Sequence, residues 1–497
     1  MDQAVIQDVV QEVMRQLRGR SGGSSGSSYS SGAGMRAGED APANEPMRGH
    51  PGNIGADGRY GIFGTVDEAV RAATESQAKL LKLSLDERDA IVKLIKSTAK
   101  ENAHAWGEIE FKETKIGRLD HKIEKLQILE LVPGVEFLKT HATTGSNGVC
   151  LEEFAPFGVI GIITPVTHSV PTLSANAINM IASGNAIVAN PHPSGINCAV
   201  IAVREYNRRI ADKFGIEHLI TVVTPPTLET AEAIFAHRGV HLLVVTGGPA
   251  VARAALKSPK RAIVAGPGNP PVVVDESACM KNAATSIISG CAFDNNLLCI
   301  GEKQVFVVES VYDKLVTALQ NAGAVQLSAP QIETLTRQAI PIDPKDNKPH
   351  VNKDFVGRDA KYLAEVAGAS ASPAAQIAFG ETNFDHPFVQ VEQMMPFLPL
   401  VRCRNVDEAM DRAIESEHGY RHTAIMHSRN LDNITRFGRR AATTLYVVNG
   451  ASPSGLGLGG QGHLSYSIAT PTGEGITTPL TFTRYRRIMI TGSLRMV

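Results

Sequence analysis

The chain has 497 residues, 43% of them apolar and 20% charged, with a formal net charge of −1. That length supplies more than one domain's worth of core, and the near-zero charge removes the electrostatic case for a nucleic-acid partner. Six scattered cysteines argue against a disulfide framework and a structural zinc, and with no basic-then-apolar leader and no run of about 18 apolar residues the chain reads as cytoplasmic, without a membrane span.

Residues 1–18 place Val5, Val9, Val13 and Leu17 four apart, with Ile6, Val10 and Met14 beside them and charged or amide side chains elsewhere. The spacing predicts an amphipathic helix with an apolar stripe. Residues 19–57 run through GRSGGSSGSSYSSGAG into a Pro, Gly and Ala-rich tract, a composition that reads as a disordered linker. A helix this short is marginal alone in water, so its stripe needs a partner surface. Packing on its own domain, an oligomer contact and docking to another protein are all open.

The folded body starts near residue 58. Thr65-Val66-Asp67-Glu68 and Ser84-Leu85-Asp86-Glu87 are capping-box signals for two helices. Residues 139–156, with Gly145, Asn147 and Gly148 between β-prone flanks, read as a protruding hairpin. From Phe157 to Asp275 the runs GVIGIIT, AIVANP, ITVVTP, HLLVVTG and PVVVD alternate with segments of helical length, which predicts a parallel sheet covered on both faces, in a domain over 58–280. Ligands of such sheets bind at the carboxyl ends of the strands, which selects the loops 164–168, 190–194, 224–226 and 246–249. Thr246-Gly247-Gly248-Pro249 opens a helix, where free N–H groups and small residues admit a phosphate, although a plain turn has the same pattern.

The second half, 281–445, repeats the alternation around KQVFVVES, FLPLVRC and TAIMHS, with helices predicted at Val406–Ser416 and Leu431–Ala441. Residues 343–359, polar and with Pro344 and Pro349, read as a surface excursion. Residues 446–497 hold a glycine-rich loop (Gly450, Gly455, Gly457, Gly459, Gly460) and a terminal strand; the loop either lines a site or is simply flexible.

The stretch that organises the rest is SGCAFDNNLLCIGEKQVFVV, 289–308. Cys299 follows the turn-forming Asp294-Asn295-Asn296 and precedes an apolar run, Gln304 to Val308, that reads as a buried strand. Such a cysteine can serve as a thiolate nucleophile where N–H dipoles or cations assist it, or be a small buried hydrophobe, and spacing alone leaves both open.

From about residue 59 to 490 the chain resembles the CoA-acylating aldehyde dehydrogenases of the propionaldehyde and acetaldehyde type. The resemblance is carried by FDNNLLCIGEK (293–303), NMIASGNAIVANPHP (179–193), HGYRHTAIMHS (418–428) and GEGITTPLTFTRYRR (473–487). It implies an α/β fold of two Rossmann-type domains with a small β element for oligomerisation, in a homodimer or homotetramer. It also implies NAD as cofactor, CoA as co-substrate and Cys299 as the nucleophile. Residues 1–57 resemble the encapsulation peptide and linker of enzymes packed in bacterial microcompartments, which implies a shell-protein partner and a place in the compartment lumen.

By the same resemblance the oxyanion donor falls near Thr167, with His168 and Ser169 as alternatives in that loop. Cofactor contacts fall on Thr164, Pro165, Asn190, Pro191, His192, Thr246, Gly247, Gly248, Gly266 and Glu392. Glu392, in EQMMP, matches a glutamate that contacts the nicotinamide ribose, and Asn190 stands where a lysine contacts the other ribose. The chain departs from the hydrolytic branch at Ala265-Gly266-Pro267-Gly268-Asn269, where alanine replaces the glutamate that activates water. The implied reaction is oxidation of a short-chain aldehyde, propanal foremost, to a thioester on Cys299 that awaits a CoA thiol in a ping-pong sequence. Acetaldehyde as preferred substrate, a hydrolytic aldehyde dehydrogenase, an acyl-phosphate or semialdehyde reductase, and a catalytically silent shell-binding protein are the alternatives.

Overall fold

The computed structural model of the chain describes residues 55–494, so the helix expected over 1–18 and nearly all of the linker expected over 19–57 lie outside the described residues. The first sheet has six parallel strands in the order Ile62–Phe63, Ile220–Val223, Ala186–Pro191, Val159–Thr164, Leu242–Thr246, Ala262–Ala265. Val159–Thr164 and Ala186–Pro191 are buried along their whole length, as strands covered by helices on both faces must be. From Val159–Thr164 the chain winds outward to one side, then returns to lay Leu242–Thr246 on the other. That reversal is a topological switch point, which in sheets of this kind is where a ligand crevice lies, between the loops after Thr164 and after Thr246.

The second sheet has seven strands, again all parallel, in the order Val325–Gln326, Ala378–Glu381, Phe397–Cys403, Gln304–Val308, Pro271–Val274, Thr423–His427, Leu445–Val448. Pro271–Val274, expected in the first sheet, sits inside the second, between Gln304–Val308 and Thr423–His427. The chain therefore passes between sheets after Ala265, ahead of the expected boundary at 280. A bare run of valines carries no label for which sheet it joins. The helices Val406–Ser416 and Leu431–Ala441 form as predicted, each with an asparagine N-cap, Asn405 and Asn430, whose side chain accepts from the first turn.

The expected hairpin is His141–Gly145 with Gly148–Pro156, and the terminal strand Thr483–Thr491 completes a three-stranded antiparallel sheet beside it. Before reaching that strand the return segment crosses back to the first sheet, where Leu464, Tyr466, Ile468, Ala469 and Phe482 join the core. Asn185 ties these pieces together. Its carbonyl oxygen accepts from Phe157 N and Gly158 N at 2.8 and 3.0 Å, and its amide donates to Phe482 O at 2.9 Å.

The excursion expected at the surface over 343–359 begins as a short hairpin, Ile342–Asp343 with Lys348–Pro349, but its end turns inward. Phe355 is buried, and Gly357 O accepts from Gly117 N at 3.0 Å. Polarity described the hairpin and missed the buttress that follows it.

Asn185→Ala strands two part-buried N–H groups and a buried carbonyl, each worth up to about 1–3 kcal/mol. The thermal unfolding midpoint should fall by several degrees, and a wild-type midpoint would show that water replaces the amide.

Candidate active site

Cys299 lies between a turn, Phe293–Asn296, and the buried strand Gln304–Val308, at the amino edge of the second sheet. The turn is conformationally expensive. Asp294, Asn295 and Asn296 have φ of 49°, 54° and 63°, three consecutive residues in the left-handed region, where Asp and Asn are tolerated best. It persists because every side chain in it is tied down. Asn295 Nδ2 donates to Gly357 O at 3.0 Å and to Asp359 Oδ1 at 2.8 Å, and Asn296 Nδ2 donates to Glu302 O at 2.8 Å. Lys303, fully buried, donates to Asn296 O at 2.8 Å, to Asn296 Oδ1 and to Leu298 O at 3.2 Å, so all three ammonium protons are spent on the turn. Asp294 N donates to His121 Nδ1 at 2.8 Å.

The Asp294 carboxylate meets a second buried cluster. It accepts from Lys125 Nζ and from Arg118 N at 2.8 Å, and Lys122 Nζ lies 3.4 Å away. Gly117, at φ 82°, is required beside it, because a Cβ there would strike the carboxylate. Burial alone would raise Asp294, yet the Lys122 and Lys125 ammoniums hold it down at about 2. Lys122 Nζ also lies 3.4 Å from Glu110 Oε1. Both ammoniums donate to Thr167 O, Lys122 at 2.6 Å and Lys125 at 3.3 Å. The loop after the switch strand of the first sheet and the turn before Cys299 in the second are thus held by the same charges.

Thr164, Pro165 and Thr167 line that loop, with Thr167 half-buried and His168 buried. The Thr164 hydroxyl has no partner among the described residues. Asn190 and Pro191 end the neighbouring strand, and His192 N donates to Thr164 O at 3.0 Å. Asn190 turns inward, accepting from Thr230 Oγ1 at 2.7 Å and donating to Thr227 O at 3.2 Å. Across the switch, Thr246 Oγ1 is 2.8 Å from Ser467 Oγ of the return segment. Gly247 and Gly248 lead into the helix Pro249–Lys257, and a Cβ on Gly248 would meet nothing within 4 Å. Gly266 faces Pro471, which a Cβ would approach to 2.6 Å. The glycine-rich return segment therefore closes over this edge, and a Glu302 carboxylate accepting from Ser452 N and Oγ at 2.9 and 2.8 Å fastens it to the second sheet.

The segment 265–269 runs against Cys299. A side chain on Gly268 would clash with Cys299 O and with the buried His422 ring. Burial raises the carboxyl of Glu392, against the Lys303 charge and the Gly268 N–H, and the carboxyl is close enough to act on the thiol. Cys299 is pushed up to about 12, first by burial and then by Glu392, against Lys303 and the N–H groups of Cys299 and Ile300. Cys291 is also pushed up to about 12, by burial, and is sealed; Cys299 is half-buried and can be reached.

The model of the aldehyde dehydrogenase family matches residues 62–463. The chain belongs to the aldehyde dehydrogenase family. It is 41% identical, over 88% of its length and 94% of the other chain, to an acetylating acetaldehyde dehydrogenase of Salmonella typhimurium. It is 38% identical, over 87% and 92%, to a CoA-propanoylating propanal dehydrogenase of the same organism. Its fold matches a Rhodopseudomonas palustris propionaldehyde dehydrogenase solved with bound CoA and an acylated cysteine, at a TM-score of 0.84 and 40% identity over 87% and 98% of the two chains. A propionaldehyde dehydrogenase from the fucose-utilisation microcompartment of Clostridium phytofermentans matches at 0.85 and 38%, over 88% and 100%.

In this aldehyde dehydrogenase, sequence reading missed Glu110, Lys122, Lys125, Glu302 and Lys303, the charges that hold the site. Lys122 and Lys125 are three apart on the helix Leu119–Gln127, a spacing that ordinarily marks a solvated face. The Glu392 charge raises the Cys299 thiol, so removing it should lower the pKa. Iodoacetamide should then label Cys299 several-fold faster in Glu392→Gln than in wild type between pH 7 and 9, read by mass spectrometry. Equal rates would show that the thiol does not feel that carboxylate.

Proposed function

We propose that this aldehyde dehydrogenase converts a short-chain aldehyde, propanal foremost, to its acyl-CoA through a thioester on Cys299, with NAD as hydride acceptor. The observation that carries the reading is a reachable, rigidly held Cys299 beside a 265–269 segment that opens on alanine. With no carboxylate at position 265, water lacks the activation that a glutamate there would give, and the thioester waits for a thiol. Relatives named as acetylating and CoA-propanoylating, at 41% and 38% identity, support the same reaction.

Cys299 Sγ loses its proton to solvent and attacks the aldehyde carbon as the thiolate. The Cys299 N–H and the Thr167 hydroxyl stabilise the oxyanion, donors worth about 2.7–4 kcal/mol each in other enzymes. The nicotinamide, when bound, accepts the hydride. Loss of hydride from the hemithioacetal leaves an acyl thioester. A CoA thiolate then attacks that carbonyl, the C–S bond to Cys299 breaks, and acyl-CoA departs.

The crevice suits the dinucleotide. Gly247 and Gly248 open a helix without a side-chain cap, where the backbone around Pro249 can meet a phosphate, and the Thr164 hydroxyl, without a partner among the described residues, stands across the switch point. Glu392 serves the nicotinamide end, Pro165, Pro191, His192, Thr246 and Gly266 line the walls, and Asn190 holds the adenosine end loosely because its amide is already engaged. Acetaldehyde is the second reading, favoured by the acetylating relative at 41% identity. The exposed face of the three-stranded sheet, with Tyr485 and Met489 more than half exposed, serves a homodimer or homotetramer. Residues 1–18 dock to a shell protein of a microcompartment, a place supported by the Clostridium relative.

NADH formation from C2 to C4 aldehydes, with and without CoA, tests the reaction, and turnover indifferent to CoA would overturn it. Cys299→Ala should be inactive and Cys291→Ala active. Mixing enzyme, aldehyde and NAD without CoA should leave an acyl adduct on Cys299, and rapid release of free acid would favour hydrolysis. For the helix, each buried valine contributes about 1.5–3 kcal/mol of gross stabilisation, so charging Val9 and Val13 should release the enzyme from shells with kinetics intact. Loss of aldehyde oxidation with shell binding retained would place the stripe in the enzyme's own architecture.

A further inference from the structure

Lys122 and Lys125 make no described contact with Cys299, meet the crevice loop only at the Thr167 carbonyl, and are assigned no step by the reaction. Their ammoniums are nonetheless the only described link in which one group reaches both halves of the site. Thr167 O accepts from both, and Asp294 receives Lys125 with Lys122 3.4 Å away. Glu110 extends the link on the other side of the loop, since its Oε2 accepts from Val170 N at 3.2 Å while Oε1 faces Lys122. The segment 167–170 is thus gripped at its first and last residues, and the same grip continues through Asp294 into the left-handed turn that presents Cys299.

We infer that Lys122 and Lys125 are positioning residues that fix the Thr167 hydroxyl relative to the Cys299 sulfur. A carbonyl held by two ammoniums cannot rotate its peptide plane without breaking both bonds, and the plane after Thr167 sets where the Thr167 side chain stands. The turn answers to the same charges: without Lys125, Asp294 loses its closest cation and three left-handed residues lose one of the contacts that hold them. Oxyanion donors act only within a few tenths of an ångström of the right place, so a loosened loop forfeits catalysis without touching the reacting atoms.

The inference rests on Thr167 as the oxyanion donor, and two measurements separate the claims. In a double-mutant cycle on kcat/KM, Thr167→Val should cost about 10²–10³-fold in wild type and under about threefold in Lys122→Met, because an unheld hydroxyl has nothing left to lose. A lysine with a merely structural role would leave the Thr167→Val factor unchanged, and that equality would overturn the inference. If Thr167→Val is silent in wild type, the oxyanion reading fails by itself. The positioning claim is then decided by iodoacetamide labelling of Cys299, which Lys125→Met should slow at least tenfold while NAD affinity holds. An unchanged labelling rate would overturn it. Where Lys122→Met does not fold, Glu110→Gln takes its place in the cycle, with the same two readings: a diminished Thr167→Val factor supports the inference and an equal one overturns it.

Discussion

The charge cluster of Lys122, Lys125, Glu110 and Asp294 is the constraint on which the site depends, because it stands without solvent between two domains whose loops must agree. Burying four charges is costly, and such a group stays charged only when each partner is close and the remaining valences are filled. Here the remaining valences are filled by backbone: Thr167 O, Arg118 N and Val170 N. An apolar plug of equal volume would cost less and would hold none of those groups in place.

Lys303 does the complementary work from the second sheet. Its three protons end on carbonyl-type oxygens of Asn296 and Leu298, while its charge lies close enough to Cys299 to oppose Glu392. The thiol therefore rests protonated between a cation that favours its ionisation and a carboxyl that resists it. Glu302, next in the chain, is pushed up to about 7 by burial despite the Ser452 donors, and it fastens the return segment over the crevice. Adjacent residues thus serve Cys299 and the cover above it.

The sequence made the alternation of strands and helices readable because each element announces its own period or caps: Thr65 and Ser84 mark their helices, and the valine runs mark strands. Allegiance was not readable. Pro271–Val274 looks like any buried parallel strand, and only its neighbours in space assign it to the second sheet. The turn before Cys299 was legible, since Asp and Asn beside a strand signal a tight backbone, while a role for Cys299 came only from the family resemblance. Lys122 and Lys125 were illegible for the opposite reason, because paired lysines on a helix ordinarily face water and their burial is imposed by Asp294, 169 residues further along from Lys125. The buttress at Gly357 and Asp359 was hidden by the polar hairpin before it.

The return segment also orders events in time. Phe482 belongs to the core of the first domain, whose earliest strand is Ile62–Phe63, and Asn185 waits for the Phe482 carbonyl to complete its bonds. During synthesis the domain begun first is therefore finished last. At translation rates of about 5–20 residues per second, its open core trails behind the ribosome for tens of seconds while the whole second domain emerges. Through that interval the apolar edge later covered by Tyr466 and Ile468 is bare, so the nascent chain is most vulnerable to chaperone capture or aggregation before its last strand is made.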